Sequence, residues 1–446
     1  MTKSYLILLA VTVCTLDTIS AQWSTLQLSD PRVAPAGVYA AGKVFFAGGY
    51  TQYTPSYINS NKISIYDIAS QTWLPDTLSE ARNGIATAVV GDQVIFAGGR
   101  KMGGNSNKVD IYNTSSNTWS QSEMPTHRGN MYGAVIGDIA YFISGFSDIN
   151  NDSTGHIMTY HASLNTWGFI NVPTIRFKPG VAVSGTKIII AGGYDDINFS
   201  TLKSVDIYNT QAGTWTTIQM PAPRYGQSVF SLANKIYFVG GYDSNDAATN
   251  TIFIYDLSNS SWSTKLYSQK RAEPGIAMLG EKIYLAGGAI GNTKFSSVEV
   301  FNTVTSTFES QMQLSQARYT ISAVACNDRL FFAGGYYNID FFNEGISNVV
   351  DIFALTTHVD NLPKVKQLQV RPTLATDQVS IIIEEAELLN TQNLDVFDLN
   401  GRMFSVTSHF EYDSEVKINI SGLPNGYYAI HFTTKQGNWI GHFVKQ

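Results

Sequence analysis

The chain has 446 residues, 44% hydrophobic and 14% charged, with a formal net charge of −6. That balance excludes a disordered chain, and the lack of a basic excess excludes the electrostatic footprint of a nucleic-acid binder. The length accommodates one large repeat body plus a small module, and an aromatic content of 12%, with 24 Tyr and 24 Phe, favours β-structure.

The first residues read as a secretory signal over 1–21. Lys3 gives the positive start, Tyr5 to Val13 the apolar run, and Thr18-Ile19-Ser20-Ala21 the small residues before Gln22. The run is too short to span a bilayer. A lipid anchor on Cys14 is the alternative, opposed by the bulky Val13 before it. With Cys14 removed, Cys326 is the remaining cysteine, so the mature chain has no internal disulfide. It follows the apolar stretch Ile321 to Ala325 and reads as a small buried hydrophobe.

A glycine doublet then recurs at near-constant spacing, beginning at Gly48, Gly98, Ser144 (a Ser-Gly variant), Gly192, Gly240, Gly287 and Gly334. An arginine stands sixteen residues before each: Arg32, Arg82, Arg128, Arg176, Arg224, Arg271 and Arg318. An aromatic follows each polar loop (Tyr66, Tyr112, Tyr160, Tyr208, Tyr255, Phe301), and seven residues later comes Trp73, Trp119, Trp167, Trp215, Trp262 or Phe308. Four short strands fit between these marks in every unit. Two-residue turns such as Gly91-Asp92 join the first and second strands, and units that cannot fold alone must stack. Four antiparallel strands per unit make a propeller blade.

These marks resemble the kelch repeat, over roughly Trp23 to Ile352. The resemblance implies an all-β fold, a seven-bladed kelch-type β-propeller over 22–357. The seventh unit has Phe353 but Asp360 where a Trp is due, while Trp23 stands nine residues before Arg32. The N-terminal segment is therefore expected to supply the outer strand of the last blade and so remove open edges.

Strand alternation puts the loops between second and third strands, and the linkers between units, on one face. Those loops vary in length, which makes that face the expected binding surface. All seven arginines belong to it. As a ring they could take a carboxylate, sulfate or acidic peptide, and the kelch resemblance implies such a use. The competing reading is that an arginine present in every unit wires the repeat together, donating to carbonyls or pairing with a loop Asp. Asp and Asn clusters at 148–152, 195–198 and 243–246 read as solvated turns rather than calcium ligands. His127 and His156, with Asp148 or Asp152, form a conceivable metal site without ligand spacing. Kelch-like copper oxidases need two Tyr, two His and a Cys joined to a Tyr, which one cysteine and few histidines argue against. No catalytic residue, metal or other cofactor is assigned.

Past a linker at 358–366, residues 367–446 show four strand-like stretches and turns at Asn400-Gly401 and Pro424-Asn425-Gly426, a small β-sandwich by pattern. The run 395–402, the run 418–428 and the closing 442–445 resemble the type A C-terminal sorting domain of the Bacteroidetes type IX secretion system. Gly401, Arg402, Leu423, Pro424, Gly426, Tyr428 and Lys445 carry the match, although Arg371-Pro372-Thr373 replaces the usual Pro-Asn-Pro. The resemblance implies export through the periplasm to the cell surface or exterior, with the type IX machinery as partner and no transmembrane span in the mature protein. An accessory sandwich that binds carbohydrate is the alternative. The expected function is a non-catalytic binding module for a protein or glycan; a sugar-modifying propeller similar to sialic-acid mutarotases is the alternative.

Overall fold

The computed structural model describes residues 20–52, 58–147, 155–195, 197–309, 312–340, 343–356, 366–367, 369–382, 391–398, 403–411, 415–434 and 437–446. The predicted signal segment up to residue 19, the 148–152 cluster, most of the linker, Gly401 and Arg402 lie outside them. The described residues are all-β. They divide into two compact units, one of residues 21–355 and a second that holds 356–446.

In the first unit each repeat becomes one antiparallel sheet. In the second repeat Ala86–Val90, Gln93–Ala97, Lys108–Asn113 and Thr118–Glu123 pair in sequence order. The second strand is a continuous apolar run rather than an alternating one, because neighbouring sheets cover both of its faces. Val94, Ile95, Phe96 and Ala97 are accordingly fully buried. The fourth strand is the outermost, and only its Trp119 turns back, onto Tyr112 at 5.0 Å between ring centroids.

Among the described residues seven such sheets are present, the sixth with a short extra strand at Met312–Gln313. The seventh takes three strands from its own repeat, Ser322–Cys326, Arg329–Ala333 and Val349–Thr356, and its fourth from the other end of the chain, Ser20–Gln27. Trp23 there packs on Phe353 at 5.2 Å and Phe332 at 6.2 Å. Apolar clusters join each sheet to the next. Phe45 meets Phe96 and Tyr112 between the first and second repeats, and Val44, Phe46 and Tyr66 share a cluster with Val324 and Phe331 of the seventh. Cys326 is buried in that last cluster, and burial pushes its thiol up to about 12.

The glycine doublet has a specific cause in this packing. Gly98 has φ of +60° and a methyl there would overlap the carbonyl of Arg128, in the next linker. Ser144 adopts the same backbone, φ 63°, and its hydroxyl turns the close approach into a hydrogen bond to the Arg176 carbonyl at 2.7 Å. The Ser-Gly variant thus keeps the geometry by bonding to the group that excludes other side chains.

In the second unit one sheet contains Thr391–Asp398, Gly426–Thr434 and Gly437–Lys445, and another Gln369–Arg371, Gln378–Ile382, Thr407–Glu411 and Glu415–Asn419. Both contribute to a single core, with Val396, Ile430 and Phe443 from one and Val379, Ile381, Val416 and Ile418 from the other.

Because Trp23 anchors a strand borrowed across the sequence, Trp23→Ala should lower unfolding free energy by about 3 kcal/mol. Urea denaturation followed by the remaining tryptophans measures it. A variant as stable as the parent would show that the borrowed strand carries no load.

Candidate functional site

The arginines fall between sheets. Arg32, Arg82, Arg128 and Arg318 are fully buried, and Arg224, the most open, is 8% exposed. Of the two expectations for these arginines, an open ring and wiring of the repeat, the burial fits the wiring: the guanidiniums are turned between the sheets rather than out to the surface. Arg82 shows the wiring. Its main chain bonds backward, its N–H donating to the Ser60 carbonyl at 3.1 Å and its carbonyl accepting from Gly49 at 2.9 Å. Its side chain reaches forward into its own sheet, donating to the carbonyls of Gly98 at 2.7 Å and Lys108 at 2.6 Å and pairing with Asp110. Arg176, Arg271 and Arg318 repeat this with Asp206, Glu299 and Asp351. At the junction of the chain ends, Arg32 donates its N–H to Ser347 at 3.2 Å and accepts from Gly335 at 3.0 Å, while its side chain holds the Lys62 carbonyl and the Ser64 hydroxyl.

In these four repeats the partner acid is a strand residue, two before the repeat aromatic; the loop Asp expected from sequence is found at Arg32, whose Nε lies 3.6 Å from the Asp30 carboxylate. Ser64, Met158 and Phe253 occupy that position in the other three repeats. Arg224 stacks on Phe253, 5.0 Å from the ring centroid. Arg128 donates to the His156 carbonyl at 3.0 Å and to His156 Nε2 at 2.9 Å. With no carboxylate beside it, burial lowers the Arg128 pKa to about 10. Desolvation first, and the Arg128 charge second, hold His156 below its ordinary 6.5. His156 thus belongs to the wiring, and His127 lies at 3.2 Å from the Asn105 carbonyl. Among the described residues no group of three His, Cys, Asp or Glu side chains is placed to hold a metal.

The same face carries a cavity of about 1010 Å³, lined by residues from six of the seven repeats. Its rim is built by the residue two after each arginine, which takes a left-handed backbone in every repeat, for instance Asn130 (φ 56°), Lys178 (φ 48°), Glu273 (φ 48°) and Thr320 (φ 53°). Positive φ in a β-branched or long side chain costs energy and persists where the surroundings enforce it. Here linkers bond to linkers: Asn130 N–H to the Gly84 carbonyl at 2.9 Å, and Thr320 N–H to the Glu273 carbonyl at 2.9 Å. A constant backbone thus presents a different side chain from each repeat.

On one side of the cavity Phe146 and Phe177 stand 3.9 Å apart with Lys178 over Phe177. Amides fill the next arc, where Asn83 donates to Asn59 at 2.6 Å. Glu273 is the sole acid of the lining; it accepts from the Thr320 hydroxyl and, beside Tyr242, helps burial raise that phenol well above its usual range. Of the lining cations, Lys101 pairs with Glu80 at 2.8 Å, whereas Arg100 and Lys178 have no acidic partner among the described residues. The cavity is thus net positive in an acidic chain.

In the second unit Leu423 and Tyr428 are core residues, and Tyr428 donates to the Pro424 carbonyl at 2.8 Å and stacks on Phe443. Gly426 pairs with Lys445, which is 9% exposed. These residues build the module's fold.

Comparison with known families agrees with this architecture. Residues 81–122 match the Kelch motif, and residues 178–359 match the KLHDC2/KLHL20/DRC7 Kelch-repeats domain. Residues 370–446 match a secretion system C-terminal sorting domain. The chain is a kelch-repeat protein. It carries a type IX sorting domain at its C-terminal side, which marks it for secretion or the outer surface. No curated protein matches the chain.

Two outcomes follow from the wiring. Asp110→Asn leaves Arg82 buried and uncompensated and should cost about 3–5 kcal/mol, whereas Arg82→Met with Asp110→Leu should cost less than either single change; chemical denaturation of the set would show this. His156 is neutral in the fold and takes its proton first when unfolded. Stability should therefore be complete above pH 6.5 and decline as pH falls below it. His156→Gln should flatten that decline in thermal melts across the same range.

Proposed function

We propose that the protein is an exported seven-bladed β-propeller, closed by its N-terminal strand, whose variable-loop cavity binds a glycan. The observation that carries the reading is the lining: aromatic rings beside amides around one concave site. Rings supply apolar faces for the C–H surfaces of sugars, and amides both donate to and accept from hydroxyls. Arg100 and Lys178 favour glycans that carry carboxylate or sulfate groups. The assignment of 22–357 to the propeller, 358–366 to a linker and 367–446 to a β-sandwich sorting module is part of this reading, as is entry to the periplasm through a signal peptide at 1–21. The sugar-modifying alternative has no support from the family matches.

A specific observation favours a protein partner as the second reading. Large apolar side chains stand out on the variable loops, with Met102 94%, Phe199 80% and Ile197 69% exposed. Such tips suit anchoring in a partner's pockets.

The glycan array discriminates. The parent should bind acidic oligosaccharides, with affinity that falls as salt rises. Phe177→Ala or Arg100→Ser with Lys178→Ser should weaken binding at least about tenfold, and Phe199→Ser should leave it unchanged. Failure of the parent to bind any glycan on the array would turn the case to a protein partner. Deleting 367–446 should leave the propeller in the periplasm, seen by cell fractionation; normal surface display would contradict the sorting role.

A further inference from the structure

The second unit has two antiparallel sheets over one core, so each sheet also has an outer face. Strand alternation makes such a face polar where it meets water. The sheet that contains Gln378–Ile382 and Glu415–Asn419 follows this rule. Val379, Ile381, Val416 and Ile418 turn to the core, and the residues between them that turn out are Gln378, Ser380, Lys417 and Asn419. The other sheet breaks it. Tyr428, Ile430 and Phe443 are its core residues, and the positions that alternate with them carry Tyr427, Ala429, His442 and Val444.

Register sets these outward side chains in two rows. Leu374 stands opposite Val444, and Val444 opposite Tyr427. In the second row Met403 stands opposite Phe397, Phe397 opposite Ala429, and Ala429 opposite His442. Tyr427 and His442 stack across the rows, 5.5 Å between ring centroids. Met403 is 61% exposed, Leu374 52% and Tyr427 41%. Among the described side chains that these strands turn outward, Asp395 is the one acid, and there is no lysine or arginine. A contiguous apolar face that water reaches marks an interaction surface, and the polar face of the companion sheet shows that the module's fold does not demand it.

Leu423 and Tyr428, which carry the resemblance to sorting domains, lie in the core, and Lys445 is 9% exposed. In the folded module these side chains are closed to a partner, so a partner meets the surface that they build. The sorting match covers 370–446, past the end of the kelch match at 359, so the surface that is read belongs to this unit. We propose that the outer face bearing Leu374, Tyr427, His442 and Val444 is the docking surface for a protein of the secretion machinery, which reads the module folded and covers these side chains with an apolar surface of its own. This rests on the sorting role of the module and is independent of the glycan reading. Rings and aliphatic groups side by side give such a partner apolar area to bury without stripping water from charges, the composition of an interface centre.

The test uses the full chain in cells that carry the type IX system. The ratio of surface to periplasmic protein is the readout, and thermal melts of the purified variants are the control. Tyr427→Thr with Val444→Thr keeps strand-forming residues and should lower that ratio at least about tenfold, the scale of anchors lost from an interface, with a melting temperature close to the parent's. Tyr427→Phe keeps the ring and should be exported as the parent is, and so should Gln378→Ala with Asn419→Ala on the polar sheet. Parental export of the Tyr427→Thr, Val444→Thr pair would overturn the docking face while leaving the sorting role in place, which deletion of 367–446 tests separately. Export loss that merely tracks a falling melting temperature would overturn it as well, since the face would then serve the chain's own stability. If the pair does not fold, Leu374→Asp and Met403→Asp, at exposed positions on other strands, decide by the same two readouts.

Discussion

A buried arginine that grips two sheets at once is the constraint on which the first unit depends. The linkers at Arg32, Arg82, Arg128, Arg224 and Arg318 bond backward through their main chain, and the guanidiniums reach forward. Arg82 touches Ser60 and Gly49 behind it and Gly98, Lys108 and Asp110 ahead. Burying a guanidinium costs several kcal/mol unless its donors are met, and here carbonyls and a strand carboxylate meet four of the seven. The cost also explains the glycines. The Arg128 carbonyl that bonds to Gly99 passes so close to Gly98 that no ordinary side chain fits. One interaction therefore accounts for the two most regular marks in the sequence, the arginine and the doublet sixteen residues on.

The wiring also frees the face above it. With the guanidiniums turned inward, the mouth takes its character from positions that the repeat leaves unspecified. The residue two after the arginine has the same backbone in every repeat but is Ala34, Gly84, Asn130, Lys178, Gly226, Glu273 or Thr320. Divergence of side chain over constancy of backbone is how a repeat scaffold acquires a particular site.

Much of this was readable in the sequence because the repeat multiplies weak signals. The aromatic and the Trp seven residues later face each other across the third and fourth strands, as Tyr112 and Trp119 do, so their spacing is a direct record of hairpin register. The wiring role of the arginines was readable from their presence in every repeat, but their depth was not. A linker arginine is normally solvated, and only the depth of the packed sheets turns it inward. Its acid was hidden for a related reason: Asp110 and Asp206 sit inside apolar runs, and Ser64, Met158 and Phe253 break the pattern in the other repeats. In the second unit, Leu423, Pro424 and Tyr428 stood out as a motif. Their packing shows that such a motif records a core, with Tyr428 tied to Pro424 by its hydroxyl.

The most direct test of the account is native-state hydrogen exchange in Arg32→Met, since Arg32 joins the first repeat to the seventh. The amide of Gly335 donates to the Arg32 main chain, 3.0 Å away and far along the sequence, while the side chain serves Lys62 and Ser64. If the guanidinium couples the two repeats, protection should collapse together at Gly335 and along Lys62–Asp67. Loss confined to Lys62–Asp67, with Gly335 as protected as in the parent, would contradict it.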